Sequence, residues 1–121
     1  MWILVFILFM HWVADFLCQS RWMADNKSKS YVPLLVHCLV YTLVLSMGLG
    51  WLMPIPVLLP FLALNFGLHM ATDAVTSRIT RYFWERNWIH PFFAMIGFDQ
   101  FLHVTSLIVT THWFAGGWRL F

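Results

Sequence analysis

The chain has 121 residues, of which 61% are hydrophobic and 10% charged, against about 45–50% and about 25% in an ordinary water-soluble domain. That excludes a typical soluble globule, and a formal charge of only +2, scattered along the chain, excludes a basic face for nucleic acid. Cys18 and Cys38 stand singly inside apolar stretches, which excludes a disulfide framework and a zinc ribbon.

What remains is one integral membrane domain over residues 1–121, since a spanning helix takes about 20 apolar residues and the chain holds roughly four. The first span covers about residues 1–22 and starts at the initiator. It lacks the early positive charge and small-residue cleavage site of a removable signal peptide. Asp25-Asn26-Lys27-Ser28-Lys29-Ser30 is a polar turn and the first loop. Span two covers about 33–53, with Pro33 in its first turn, and a Gly-Leu-Gly-Trp-Leu-Met-Pro-Ile-Pro segment ends it. Span three covers about 57–79, with Pro60 in its first turn and Asp73 its only charge, and runs out into Arg78, Arg81, Glu85 and Arg86. Span four covers about 88–114, contains Asp99, and is stopped by Gly116-Gly117. The expected fold is an all-α, four-helix transmembrane bundle.

Loops one and three hold Arg21, Lys27, Lys29, Arg78, Arg81 and Arg86, whereas the second loop has no basic residue. The positive-inside rule then places these loops in the cytoplasm and both termini outside, in a multi-pass protein of the inner membrane. Trp22, Trp84 and Trp88 fall at one interface, and Trp2, Trp51, Trp113 and Trp118 at the other, as two aromatic belts. Arg21, Lys27, Lys29 and Arg78 are the expected contacts to lipid head groups.

An ionisable side chain at mid-bilayer costs at least roughly 2.5–3.5 kcal/mol, so each needs a reason. Asp15, Asp73 and Asp99 all lie within spans. His11 and Asp15, His69 and Asp73, and Asp99 and His103 are spaced i,i+4, so each pair shares one helix face. Gln19, Asn65 and Gln100 extend the polar core, and span two adds His37 with Tyr41 one turn on. At 1.5 Å per residue these His and Asp lie about 9–20 Å from the cytoplasmic ends of their spans, in one slab. Taken alone, His37 reads as a hydrogen-bonded core residue, and a single pair reads equally as self-neutralising or as part of a site. Three pairs at one depth instead resemble the ligand sets that bundles use to hold metals. His11, Asp15, His69, Asp73 and His103 are the leading ligands, with His37 and Asp99 completing a set of seven. Imidazole and carboxylate suit zinc, manganese or iron. His90 and His112 read as interfacial, and Cys18 as a small packing residue.

The run His11-Trp12-Val13-Ala14-Asp15-Phe16-Leu17-Cys18-Gln19, with Trp22-Met23-Ala24 and Asn26-Lys27 after it, resembles the opening of the bacterial and phage family called domain of unknown function 3307. His37-Cys38-Leu39-Val40-Tyr41, His69-Met70-Ala71-Thr72-Asp73 and Asp99-Gln100-Phe101-Leu102-His103 extend the resemblance over roughly residues 5–110. It implies that the His and Asp positions are those the family expects. The chain also looks loosely like small membrane-bound metal-dependent hydrolases with histidine-rich helices, but it lacks their His-Arg pair.

The leading functional expectation is a membrane metalloprotein, a hydrolase of a membrane-proximal substrate, with Asp15, Asp73 or Asp99 as general base. The alternatives are ion or proton handling, a b-type haem protein, and a non-enzymatic phage or bacterial factor with a structural metal or polar core. The expected partners are the lipid bilayer and a second copy or another membrane protein.

Overall fold

The computed structural model describes residues 1–115, which form five α-helices, one π-helical segment and no strand. Helix α1 (Trp2–Trp12) runs directly into the π-helical segment Val13–Leu17, closed by the Cys18 N–H donating to the Val13 carbonyl at 2.9 Å. Helix α2 (Arg21–Asn26) is capped by Ser20, whose hydroxyl accepts from the Met23 N–H. Helix α3 (Tyr31–Leu49) begins at a second serine cap, Ser30, with Pro33 in the first turn. Helix α4 (Ile55–Glu85) follows Pro54, and α5 is Ile89–Ala115.

Three of these helices are long and apolar enough to cross a membrane: Tyr31–Leu49, Ile55–Glu85 and Ile89–Phe114. The fourth apolar stretch, Trp2–Leu17, is shorter than the expected span of about 1–22. The reason is local, because Ser20 adopts an extended conformation and starts α2, so the apolar helix ends before Cys18. The same cap carries helix through Asn26 and confines the expected first loop to Lys27–Ser30. Pro60 lies inside α4, not in its first turn, because the helix starts two residues earlier than expected, with Pro56 in the first turn. There Pro56 removes an N–H that has no intrahelical partner anyway. The stop expected at Gly116-Gly117, together with Trp118 and Arg119, lies outside the described residues.

Short turns at 50–54 and 86–88 make α3, α4 and α5 successive antiparallel neighbours. Asn87 takes the left-handed conformation that the second turn requires, with φ 56°. The α4–α5 contact is the most extensive, α3 packs on α4, and α1 touches both α3 and α5, closing the bundle. Gly48 allows the close approach of α1 to α3, since a Cβ there would fall 2.6 Å from the Met10 Cε.

The interior divides into two halves. One is apolar and holds Ile7, Leu45, Leu49, Phe61, Leu62 and Leu107. The other, toward the α2–α3 loop, holds the buried His and Asp residues. The outer surface is itself apolar, with Leu43, Met47, Leu59, Phe93, Phe101 and Val109 exposed. A large unbroken apolar exterior is what lipid contact requires.

One buried polar pair lies among the apolar layers. Asn65 Nδ2 donates to Thr110 Oγ1 at 3.0 Å and to the Phe61 carbonyl at 2.9 Å, tying α4 to α5. A double-mutant cycle with Asn65→Ala and Thr110→Val, followed by unfolding in mixed micelles, is expected to give a favourable coupling of about 0.6 kcal/mol. A coupling indistinguishable from zero would show that the pair does not hold the helices together.

Candidate metal centre

Asp15 enters the bundle from the π-helical segment, His37 from the second turn of α3, His69 and Asp73 from one face of α4, and Asp99 and His103 from α5. A π turn inserts an extra residue per turn and is common at functional sites. His11 before it and Asp15 within it both face inward, with 3% and 4% exposure.

Four of these residues converge. Nε2 of His37 lies 3.1 Å from Asp15 Oδ1 and 3.2 Å from Asp73 Oδ2. Nε2 of His69 lies 3.5 Å from Asp15 Oδ1, 3.7 Å from Asp73 Oδ2 and 3.0 Å from His37 Nε2. The donor atoms of Asp15, His37, His69 and Asp73 all fall within 4.8 Å of one another. Tetrahedral coordination with bonds of about 2.0–2.2 Å has ligand–ligand edges of about 3.3–3.6 Å. Five of the six edges here run from 3.0 to 3.7 Å. This His/Asp group could hold a metal ion. Two protonated Nε2 atoms could not face each other at 3.0 Å, so at most one of the pair carries a proton toward the other. The Nδ1 atoms of both rings are buried without a hydrogen-bond partner.

A second group, Asp15, Asp99 and His103, adjoins the first. His103 Nε2 lies 2.9 Å from Asp73 Oδ1 and 3.3 Å from Asp99 Oδ1. Gln100 Nε2 donates to Asp15 Oδ2 at 2.9 Å and to Asp99 Oδ2 at 3.1 Å, and Thr76 donates to Asp99 Oδ1. The rings stack as a column, with Tyr41 on one side of His69 at 3.9 Å and His103 on the other at 4.2 Å.

Of the seven expected ligands, His11 belongs to neither group. Its Nδ1 meets the Tyr41 hydroxyl at 2.9 Å, its Nε2 meets Gln100 Oε1 at 3.0 Å, and Asp15 is 3.9 Å away. His37, which reads as an ordinary core histidine when taken alone, sits at the centre. Gln100 bridges the carboxylates, Asn65 lies apart with Thr110, and Gln19 is half-buried with its Oε1 unpartnered.

The basic residues also separate. Arg21 is exposed and pairs with Asp25 at 3.5 Å. Arg78 donates to the Ala74 carbonyl and covers the Tyr31 ring, and Lys29 lines a surface hollow with Arg81 and Trp84. Lys27, expected at head groups, instead turns inward and donates to Asp73 Oδ2 at 2.9 Å, its side chain only 17% exposed. Nothing in the loop pattern distinguishes Lys27 from Lys29. Burial opposes its charge, and the Asp73 and Asp15 carboxylates outweigh that burial, so its pKa is raised above the ordinary lysine value.

The family model described as protein of unknown function (DUF3307) matches residues 3–118. The chain belongs to this family. No curated protein and no solved structure matches the chain. The segments whose residues resemble DUF3307 proteins supply all the members of both ligand groups.

Removing Lys27 should strand a buried carboxylate. In chelator-treated protein, Lys27→Met is expected to lower stability by about 3 kcal/mol, and Lys27→Met with Asp73→Asn to recover most of it. Because the folded pKa is raised, the wild-type contribution is complete below the ordinary lysine pKa and is lost as pH climbs through the raised value. A loss under about 0.5 kcal/mol, as for an exposed surface lysine, would contradict the pairing.

Proposed function

We propose that the chain is a multi-pass protein of the inner membrane that holds a zinc ion between Asp15, His37, His69 and Asp73 and hydrolyses a membrane-proximal substrate from the cytoplasmic side. The observation that carries the reading is the set of five contacts of 3.0–3.7 Å joining two imidazoles and two carboxylates from three separate elements. Their tetrahedral spacing and N/O chemistry favour zinc over manganese or iron, which take more ligands from such donors.

Charge supports the same reading. Asp15, Asp73 and Asp99 bring three negative charges and Lys27 returns one, so with the imidazoles neutral, as metal ligation requires, one divalent cation balances the cluster. A divalent ion there supplies Lewis-acid chemistry. The three carboxylates are the proton acceptors within reach, and Gln100 and Thr76 hold two of them in place. Lys29 and Arg81 line a hollow at the same end of the bundle, where Asp25 and Glu85 balance them and Arg81 pairs with Glu85. A through-path for ions is disfavoured by the apolar layers around Leu45, Leu49, Phe61 and Leu107.

A structural role for the ion is the second reading, favoured by one observation: four protein donors, as many as a closed tetrahedral site takes, lie within 4.8 Å of one another. Replacing Asp15, Asp73 and Asp99 by Asn one at a time, and following phenotype and fold together, separates the two. A hydrolase loses the phenotype in a variant that still folds, whereas a structural ion takes the fold with it.

Protein purified in detergent without chelator is expected to carry at least about one zinc per chain, with His37→Ala weakening affinity by about 100-fold and His11→Ala by far less. Metal-free wild type, or equal losses in the two variants, would refute the site. The orientation is tested by cysteine accessibility, with position 28 expected to label from the cytoplasmic side and position 50 from the opposite side. The reverse pattern would overturn it.

A further inference from the structure

We infer that a second divalent cation binds beside the first, between Asp15, Asp99 and His103, with Asp15 and Asp73 shared by both ions. This rests on the zinc reading above and extends it from one ion to a two-metal centre that takes an oxyanion.

The two carboxylates carry the argument, because each divides its oxygens between the groups. Asp73 turns Oδ2 toward His37 and His69, at 3.2 and 3.7 Å, and Oδ1 toward His103, at 2.9 Å. Asp15 turns Oδ1 toward His37 and His69, at 3.1 and 3.5 Å, and Oδ2 toward Gln100, which also holds Asp99. Carboxylates placed in this way between two sets of nitrogen and oxygen donors are how helical bundles bridge paired ions. Asp15, Asp99 and His103 form the second donor set, with atoms within 4.8 Å of one another.

Lys27 serves the first group, through Asp73 Oδ2. At the second, the groups against Asp99 and Asp15 Oδ2 are a neutral amide, a hydroxyl and an imidazole. Two carboxylates held this close in a low-dielectric interior repel each other unless a cation stands between them. One divalent ion neutralises the whole cluster, so a second leaves a surplus positive charge. The second ion therefore enters with an anion, and inorganic phosphate is the simplest probe of that class.

The test uses the full chain in detergent, titrated with cobalt(II) chloride with and without inorganic phosphate, reading metal per chain and the electron paramagnetic resonance signal. With phosphate, the wild type is expected to take up about two ions per chain whose signals are weakened by mutual coupling. Asp99→Asn combined with His103→Gln is expected to hold about one uncoupled ion. Where that variant fails to fold, coupling in the wild type alone decides. One uncoupled ion in the wild type under both conditions, or two in the folded variant, would overturn the second site and leave the first standing. No bound ion in either would remove the zinc reading as well.

Discussion

Two carboxylates, Asp15 and Asp73, stand almost fully buried inside a bundle whose outer surface is apolar, and the cost of keeping those charges there governs the rest of the site. Every neighbouring feature offsets that cost. The π turn delivers Asp15 inward, α3 supplies His37 between the two carboxylates, and α5 supplies His103 and Gln100. The α2–α3 loop bends Lys27 into the interior to reach Asp73. Removing any one member leaves another charged or polar group without a partner, which makes the cluster a single unit.

The same constraint explains the division of the interior. Polar groups that could hold a cation are gathered at the loop end, and the opposite half is filled with Leu and Phe. An asymmetric interior of this kind suits a site entered from one side of a membrane better than a channel. The apolar half also holds α3, α4 and α5 in register, so the donor atoms are positioned by helices and not by loops. Among the described residues Lys27 is the exception, a charged partner carried on a loop, whose position a short change of loop conformation would alter.

Much of this was legible in the sequence, for reasons that are themselves physical. Charges are so rare in the apolar stretches that Asp15, Asp73 and Asp99 stand out, and i,i+4 spacing places a histidine beside each of them. A common depth along the helices then brings the three faces together. His37 was harder to read because it has no carboxylate on its own helix, and its partners come from the π segment and from α4. His11 carries the same i,i+4 signature as the others, yet Tyr41 and Gln100 engage both of its nitrogens. Helical spacing cannot register a competing partner from another helix. The inward turn of Lys27 and the π turn depend on tertiary contacts, and a serine cap at Ser20 outweighed the apolar pattern that continues through Trp22.

The central claim is that imidazole and carboxylate from separate helices bind one ion in common. X-ray absorption at the zinc edge, on protein purified in detergent without chelator, tests this most directly. A nitrogen and oxygen shell at about 2.0–2.2 Å is expected, with outer-shell scattering from imidazole and none from sulfur. A sulfur shell, a fully hydrated ion without imidazole scattering, or no zinc edge above background would contradict it.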